Sequence, residues 1–198
     1  MTIGRASAMI GTVPDCSTDR GFARLNRWEA DRVERVIPDG PPPAALIAFS
    51  TAANGSRLWL GIAAVMALRP GVTRRAAAEG VVGVLLAAGS TQILNRLIGR
   101  ARPPADSPAR RGLDDQPLTP SFPSSHTAVA VAFTVAVAHR SPRLAAALAP
   151  LAVTLAYGRV RLRVHWPTDV LGGGALGLGA GRAARPAYVH LRNALRRR

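Results

Sequence analysis

Two of the histidines in this chain lie beside residues that could take part in a reaction. His126 follows two serines in the stretch FPSSHTAVAVAF, immediately ahead of an apolar run. His165 lies in GRVRLRVHWPTDV, four residues before Asp169, and Pro167 between them is suited to open a helix. Because side chains four residues apart on a helix can meet, the carboxylate could hold one ring nitrogen and leave the other free. An imidazole oriented in this way is a nucleophile or a base.

Arginines and a predicted helix amino-terminus add anion-binding groups to the two histidines. Arg102 lies at the end of an apolar segment, and Arg159 lies six residues before the second histidine. A guanidinium group matches the geometry of phosphate oxygens, and the amides of Ser124 and Ser125 at a helix amino-terminus favour an anion as well. Each feature alone is more often structural, since arginines at helix ends are usually solvated. Their combination at one end of a helical bundle indicates phosphoryl transfer.

Apolar segments must supply the helices that position these groups. There are about five, and all are rich in alanine, glycine, leucine or valine, which predicts an all-α fold. The first is interrupted by the turn-like sequence NGSR and is either one helix or two. The segments are residues 44–68, 76–99, 124–139, 142–158 and 168–181.

These segments fit either a membrane-embedded bundle or the buried core of a soluble one. Several are shorter than the ~20 residues that cross a hydrocarbon core. The arginine clusters RPGVTRR and HRSPR and the tail 182–198 would share one side, as expected of cytoplasmic loops. We therefore expect a multi-pass protein of the cell membrane, whose candidate reactive residues face the extracytoplasmic side. The side of the amino-terminus depends on whether NGSR splits the first segment.

Residues 1–40 differ in composition from the rest of the chain. They balance six arginines with six acidic residues, and FARLNRWEADRVERVI spaces its apolar residues roughly along one helical face. This pattern predicts an amphipathic helix that lies on a membrane or against the domain. The proline-rich IPDGPPP ends it. We expect an amino-terminal segment, 1–40, and one helical-bundle domain, 41–198.

The net charge of +15 also raises the possibility of a nucleic-acid partner. All 26 basic residues are arginines, but those carrying the excess lie in short clusters between apolar segments, and aromatic residues suited to base stacking are few. The pattern favours a membrane and a lipid phosphate as partners, with no nucleic acid. Glycine-rich stretches such as GLGAG permit close helix approach within one bundle or between chains, so the oligomeric state stays open.

Three blocks of the sequence resemble the signature of the type 2 phosphatidic acid phosphatase family, which includes bacterial acid phosphatases and vanadium haloperoxidases. The first block, Lys, six residues, Arg-Pro, is similar to NRLIGRARP, with Asn95 in the lysine position. The second, Pro-Ser-Gly-His, is similar to PSSH, with Ser125 replacing glycine. The third, Ser-Arg, five residues, His, three residues, Asp, is matched by GRVRLRVHWPTD, with Gly158 replacing serine. Order and spacing agree throughout.

The resemblance implies an α-helical phosphoric monoester hydrolase that works without a metal or another cofactor. His165 would attack phosphorus to form a phosphohistidine, and Asp169 would orient it. His126 would protonate the leaving alkoxide and then activate the water that releases phosphate. The substrate would be a polyprenyl-linked or glycerolipid phosphate. The phosphate would be bound by Arg102, Arg159, Ser124, Ser125 and Asn95.

Departures from the family pattern leave two alternatives. Asn95 removes a cation from the phosphate site, which Arg96 or Arg100 could replace, and Ser125 would be restricted if its φ had to be positive. A catalytically impaired lipid-binding membrane protein of the same fold is one alternative. A vanadate-dependent haloperoxidase is the other, since the same site can hold vanadate.

Overall fold

The computed structural model describes residues 21–37, 40–104 and 119–197, and these form seven α-helices without any strand. The predicted all-α class is therefore confirmed. One turn of 3-10 helix, Asn54–Ser56, separates the second helix from the third. The helices are α1 Ala23–Val36, α2 Ala44–Ala52, α3 Arg57–Ala67, α4 Val72–Ile98, α5 Ser125–Ala138, α6 Pro142–Arg161 and α7 Pro167–Arg196.

The break between α2 and α3 falls in the NGSR sequence, so the first apolar segment is two helices. Gly55 and Ser56 both have positive φ, at 58° and 64°. Glycine adopts this conformation without steric cost, which explains its place in the turn. The turn brings the side chain of Asn54 to His126, where Asn54 Oδ1 and His126 Nε2 are 3.1 Å apart. The break thus carries a polar group to one of the predicted reactive residues.

The helices α4, α5 and α7 pack against one another, with α6 on α5 and α3 on α4. The contact of α5 with α7 depends on three glycines spaced four residues apart on one face of α7. A Cβ atom at Gly173 or Gly177 would lie within 3.0 Å of the carbonyl oxygen of Ser124 or Ala128, and one at Gly181 would overlap Val135. The two backbones therefore touch, and the first turns of α5 and α7 lie at the same end of the bundle.

Replacing Gly173 with alanine is expected to lower the free energy of unfolding by about 1–3 kcal/mol, because the new methyl group overlaps the Ser124 carbonyl. Gly174 on the same helix is the matched control, since a Cβ atom there meets nothing within 4 Å. Its change to alanine should be neutral or stabilising by about 0.5–1 kcal/mol. Thermal unfolding midpoints of the two purified variants test the difference, and equal midpoints would contradict the close contact.

The last helix is longer than the sequence predicted. The predicted segment ended at residue 181, whereas α7 continues through Pro186 to Arg196. The prediction followed the apolar pattern, which ends at the first arginines of the tail. Alanine, leucine and arginine are strong helix formers, so helical structure persists after the apolar pattern has stopped.

Only one helix in the described ranges, α4, is both long and apolar enough to cross a membrane; α5 is apolar but has 14 residues. The sequence predicted a membrane-embedded bundle of about five apolar helices, several of them shorter than a crossing needs. Membrane crossing by the other segments therefore stays a prediction.

The predicted amphipathic helix near the amino-terminus is α1. Glu29 and Val33 are its buried residues, and Trp28 and Val36 are exposed. The helix is thus attached to the rest of the chain through a face that contains a buried carboxylate.

Candidate active site

His165 lies in the loop between α6 and α7 and is 4% exposed. Its Nδ1 atom is 2.8 Å from the carbonyl oxygen of Ser121 and 3.5 Å from Oδ2 of Asp169. Because a carbonyl oxygen can only accept, Nδ1 carries the proton and Nε2 keeps its lone pair. The expected contact with Asp169 is present, but the Ser121 carbonyl is the nearer partner. Sequence spacing could not reveal that partner, since it is a backbone atom 44 residues away.

Asp169 is fully buried in the first turn of α7, and both of its oxygens accept hydrogen bonds. Oδ2 accepts from the Trp166 backbone N–H at 2.8 Å and from the Ser121 hydroxyl. Oδ1 accepts from Arg100 Nη1 at 2.7 Å. A carboxylate held by this many donors is fixed in place, and its negative charge lies beside the imidazole ring.

The protonation state of His165 follows from its surroundings. Burial lowers the pKa of His165 to about 4, and the charges of Arg102 and Arg159 act in the same direction, while Asp169 opposes them. The ring is therefore neutral near pH 7. A neutral imidazole with a free Nε2 is the form that can attack an electrophile.

Arg102 lies directly at the free nitrogen of His165. Its Nη1 is 3.2 Å from His165 Nε2 and donates to the Val164 carbonyl oxygen at 2.7 Å. Its Nε donates to the carbonyl oxygen of Thr119 at 2.8 Å. These contacts hold the guanidinium group where an anion approaching Nε2 would meet it.

Arg159 brings a second guanidinium group from the last turn of α6. Its backbone carbonyl oxygen accepts from the His165 N–H at 3.2 Å, and its Nη2 donates to the Ser50 carbonyl oxygen at 3.2 Å. Its Nε is buried and has no hydrogen-bond partner among the described residues. A buried donor of this kind is costly unless a ligand oxygen accepts from it.

His126 lies in the first turn of α5 and is close enough to Arg159, His165 and Arg102 for their charges to act on its ring. The start of α5 is tied to α7, because the Ser124 N–H donates to the Asp169 carbonyl oxygen at 3.0 Å. The structure therefore brings the two histidines and the two arginines together at one end of the bundle.

The two serines differ in their surroundings. Ser124 is buried and caps α5, its hydroxyl accepting from the backbone N–H and the hydroxyl of Thr127. Ser125 is the first residue of α5 and is not among the residues of positive φ, so the replacement of glycine causes no backbone strain. The Ser124 amide already donates to the Asp169 carbonyl oxygen, so among the first amides it is those of Ser125 and His126, without a partner in the helix, that can bind an anion.

Asn95 is buried in the last turn of α4, beneath the loop that precedes α5. In the amide orientation that satisfies its neighbours, its nitrogen donates to the carbonyl oxygens of Phe122 and Pro123, at 2.5 and 3.3 Å. These contacts anchor the loop that carries Ser124. A phosphate-binding role for Asn95 stays a prediction.

Arg100 does not take the place of the missing lysine. It is buried, and its Nη1 donates to Asp169 and, at 2.6 Å, to the Thr168 hydroxyl. Its Nη2 donates to Glu29 at 2.5 Å and to Asn26 Oδ1 at 2.7 Å. The guanidinium group is thus surrounded by its own partners and supports the carboxylate beside His165.

The contribution of Glu29 was not predicted, because residues 1–40 were expected to lie outside the reactive domain. A signal was present. Counted at 3.6 residues per turn, Glu29 falls in the middle of the apolar face formed by Phe22, Leu25 and Val33. A charged residue at the centre of such a face requires a buried partner.

A cavity of about 240 Å³ lies beside His126, between α3, α4 and α5. Trp59, Ala88 and Val129 give it an apolar lining, and Thr91 and Gln92 add polar groups. The cavity is therefore positioned to hold the apolar part of a molecule whose other end reacts at the two histidines.

Two solved structures share this fold. LpxE of Aquifex aeolicus is 20% identical, with a TM-score of 0.57, and the match covers 82% of this chain and 93% of that one. The transmembrane PAP2-type phosphatidylglycerolphosphate phosphatase of Bacillus subtilis is 22% identical, with a TM-score of 0.53 and coverage of 84% and 86%. A search of curated protein sequences gave no match.

The sequence profile of the PAP2 superfamily matches residues 76–192, more than half of the chain. The matched range includes both histidines, both arginines and Asp169. On this evidence, the chain belongs to the PAP2 superfamily.

Proposed function

We propose that this chain is an integral membrane phosphatase that removes a terminal phosphate from a lipid phosphate through a phosphohistidine intermediate. The observation that carries the proposal is the placement of His165 Nε2, which carries no proton and lies 3.2 Å from Arg102 Nη1. A phosphoryl group attacked by this nitrogen would have its oxygens beside the guanidinium group, which can bind them.

In the first step, His165 Nε2 attacks phosphorus in line with the leaving oxygen. The new P–N bond forms as the P–O bond to the lipid breaks, and His126, protonated while the phosphate dianion is bound beside it, gives its proton to the alkoxide that departs. Arg102 and Arg159 bind the phosphoryl oxygens, the latter through its unpartnered Nε. The ring of His165 becomes positive, and the Ser121 carbonyl and Asp169 stabilise that charge through Nδ1.

In the second step, water replaces the histidine. His126 takes a proton from the water as its oxygen attacks phosphorus, and the P–N bond breaks to return neutral His165 and inorganic phosphate. The same arginines hold the phosphoryl oxygens throughout. Each predicted catalytic residue thus has a role in the proposed reaction, His126 acting first as an acid and then as a base, and neither step needs a metal.

The surface of the protein supports a bilayer as its environment. Large apolar side chains are more than half exposed on several helices. Large apolar side chains exposed on several helices are unfavourable in water and typical of helices that face lipid. The exposed set includes Leu85, Ile93 and Leu97 on α4, Val153 on α6 and Leu171 on α7.

Helix direction supports an extracytoplasmic active site. The reactive residues lie at the end of α4 and the beginnings of α5 and α7, whereas the arginine clusters at the start of α4, the end of α5 and the tail of α7 are at the opposite ends. Positive residues prefer the cytoplasmic side of a membrane. The lipid would then enter from the bilayer, with its first apolar groups in the cavity beside His126.

The test is phosphate release by the purified protein in detergent with a chelator present. Phosphatidic acid, phosphatidylglycerophosphate and a polyprenyl phosphate are the lipid substrates, and glycerol 3-phosphate is the control without a tail. We expect release from at least one lipid, with kcat/KM at least about 100-fold above that for glycerol 3-phosphate, since each buried CH₂ contributes about 0.8 kcal/mol.

Three other results would contradict the proposed function. Lipid-phosphate binding by folded protein without any release would favour the impaired lipid-binding alternative. Halide oxidation by hydrogen peroxide on addition of vanadate, without phosphate release, would favour the haloperoxidase. Release that requires a divalent metal would contradict the mechanism given above.

A further inference from the structure

We infer that Glu29 on α1 is a positioning residue for this reaction, acting on Asp169 through Arg100 and on the start of α7 through Thr168. The inference rests on the proposed function, because it concerns how His165 is prepared to attack phosphorus. It assigns a role in catalysis to a helix outside the range that the PAP2 superfamily profile matches, residues 76–192.

Glu29 and Arg100 form a fully buried ion pair. Glu29 Oε2 lies 2.5 Å from Arg100 Nη2, and the two side chains are 1% and 0% exposed. Burying a pair of charges is costly, and removal of one partner leaves the other uncompensated. This pair links α1 to the residues that follow α4, and losing either side chain would leave a buried charge without its partner.

The same guanidinium group is shared with Asp169. Arg100 Nη1 donates to Asp169 Oδ1 at 2.7 Å, and both of these side chains are 0% exposed. One cation thus lies between two carboxylates, and the cluster of Glu29, Arg100 and Asp169 carries a formal charge of −1. Without Glu29, Arg100 would neutralise Asp169 and the cluster would be uncharged.

This charge matters because His165 becomes positive during the reaction. Arg102 and Arg159 face the ring and oppose a positive charge on it, while Asp169 favours one. A neutral cluster would stabilise the phosphohistidine cation less than a negative one does. Glu29 offsets the positive charge of Arg100. The negative charge of Asp169 therefore still stabilises the positive ring of His165.

Glu29 also fixes the first turn of α7, which carries Asp169. Its Oε1 accepts from the Thr168 backbone N–H at 2.7 Å, and its Oε2 accepts from the Thr168 hydroxyl at 2.9 Å. A carboxylate at a helix amino-terminus stabilises that end. Glu29 is thus linked directly to Thr168, the residue before Asp169, and through Arg100 to Asp169.

The experiment compares Glu29→Gln with Glu34→Gln in the full chain. Both variants lose one carboxylate from α1, but Glu34 is exposed. Single-turnover reactions with radiolabelled dioctanoyl phosphatidic acid in detergent give the rate constant and the amplitude of phosphohistidine formation. We expect Glu29→Gln to slow this step and kcat by about 30-fold, as when outer hydrogen-bond partners of functional residues are lost. KM should change less than about twofold, because the phosphate-binding arginines are untouched.

The rate constant reports only on the protein molecules that react. Partial unfolding of a variant therefore lowers the amplitude of phosphohistidine formation, but the rate constant can still be measured. Glu29→Asp, which keeps the charge, should react faster than Glu29→Gln and is the variant to use if the amide does not fold. Wild-type rate constants in Glu29→Gln, or a loss of kcat that equals the loss of amplitude, would overturn the inference. Failure of the wild-type protein to form phosphohistidine from any of phosphatidic acid, phosphatidylglycerophosphate and a polyprenyl phosphate would instead overturn the proposed function itself.

Discussion

Replacing His165 with alanine is expected to lower kcat for phosphate release by about 10⁴-fold or more, the loss typical of removing a nucleophile. His165 is the only described residue whose free nitrogen lies beside Arg102 with its other nitrogen held by the Ser121 carbonyl. Without the imidazole there is no group to accept the phosphoryl from the lipid. The measurement is release of inorganic phosphate from phosphatidic acid in the presence of chelator.

The control for this variant is His190→Ala, because His190 is exposed on α7 and far along the helix from the reactive end. It should keep wild-type activity. Acid-labile phosphoprotein should be trapped from wild type and from His190→Ala but not from His165→Ala. Equal release by His165→Ala and wild type would remove His165 as the nucleophile.

The second large effect is expected for Asp169→Asn, which should lower kcat by about 10³- to 10⁴-fold and the free energy of unfolding by about 3 kcal/mol. The carboxylate accepts from Ser121, Trp166 and Arg100 at once. An amide has only one acceptor oxygen and would turn an N–H group toward some of these donors. The ring of His165 would also lose its nearest negative charge.

Chemical denaturation and steady-state kinetics of the same preparation separate the two parts of this expectation. Asp31→Asn is the matched control, since the Asp31 side chain is exposed on α1. Asp31→Asn should leave kcat and the free energy of unfolding at their wild-type values within experimental error. A stable Asp169→Asn protein with nearly normal kcat would show that the Ser121 carbonyl alone orients His165.

The sequence was sufficient to predict the fold class and the candidate residues because both depend on local patterns. Apolar segments predict helices, and the spacing from Arg159 to His165 and Asp169 spans only a few turns. The grouping of His126 with His165 was harder to obtain from physics alone. It rested on bringing the ends of several apolar segments together and on a family resemblance, since the two residues lie 39 positions apart, a separation that no helical period encodes.

The remaining contacts were not predictable because they join distant parts of the chain. Arg100 was considered as a substitute cation for the phosphate site, but tertiary packing directs it to Glu29 and Asp169. Ser121 was not considered at all, since the hydrogen bond to His165 uses its backbone. The observed helix bounds also differ from the predicted ones where residues of high helix propensity continue beyond the apolar segment, as in the second half of α7.

The glycine contacts between α5 and α7 have a consequence for how the sequence of such a protein can change. Since main-chain atoms meet at three successive turns, the separation between the two helices depends on backbone dimensions, which are the same for every sequence. Side chains elsewhere in the core can therefore be exchanged without displacing the reacting groups. This tolerance is one physical reason why chains only about 20% identical retain a common fold.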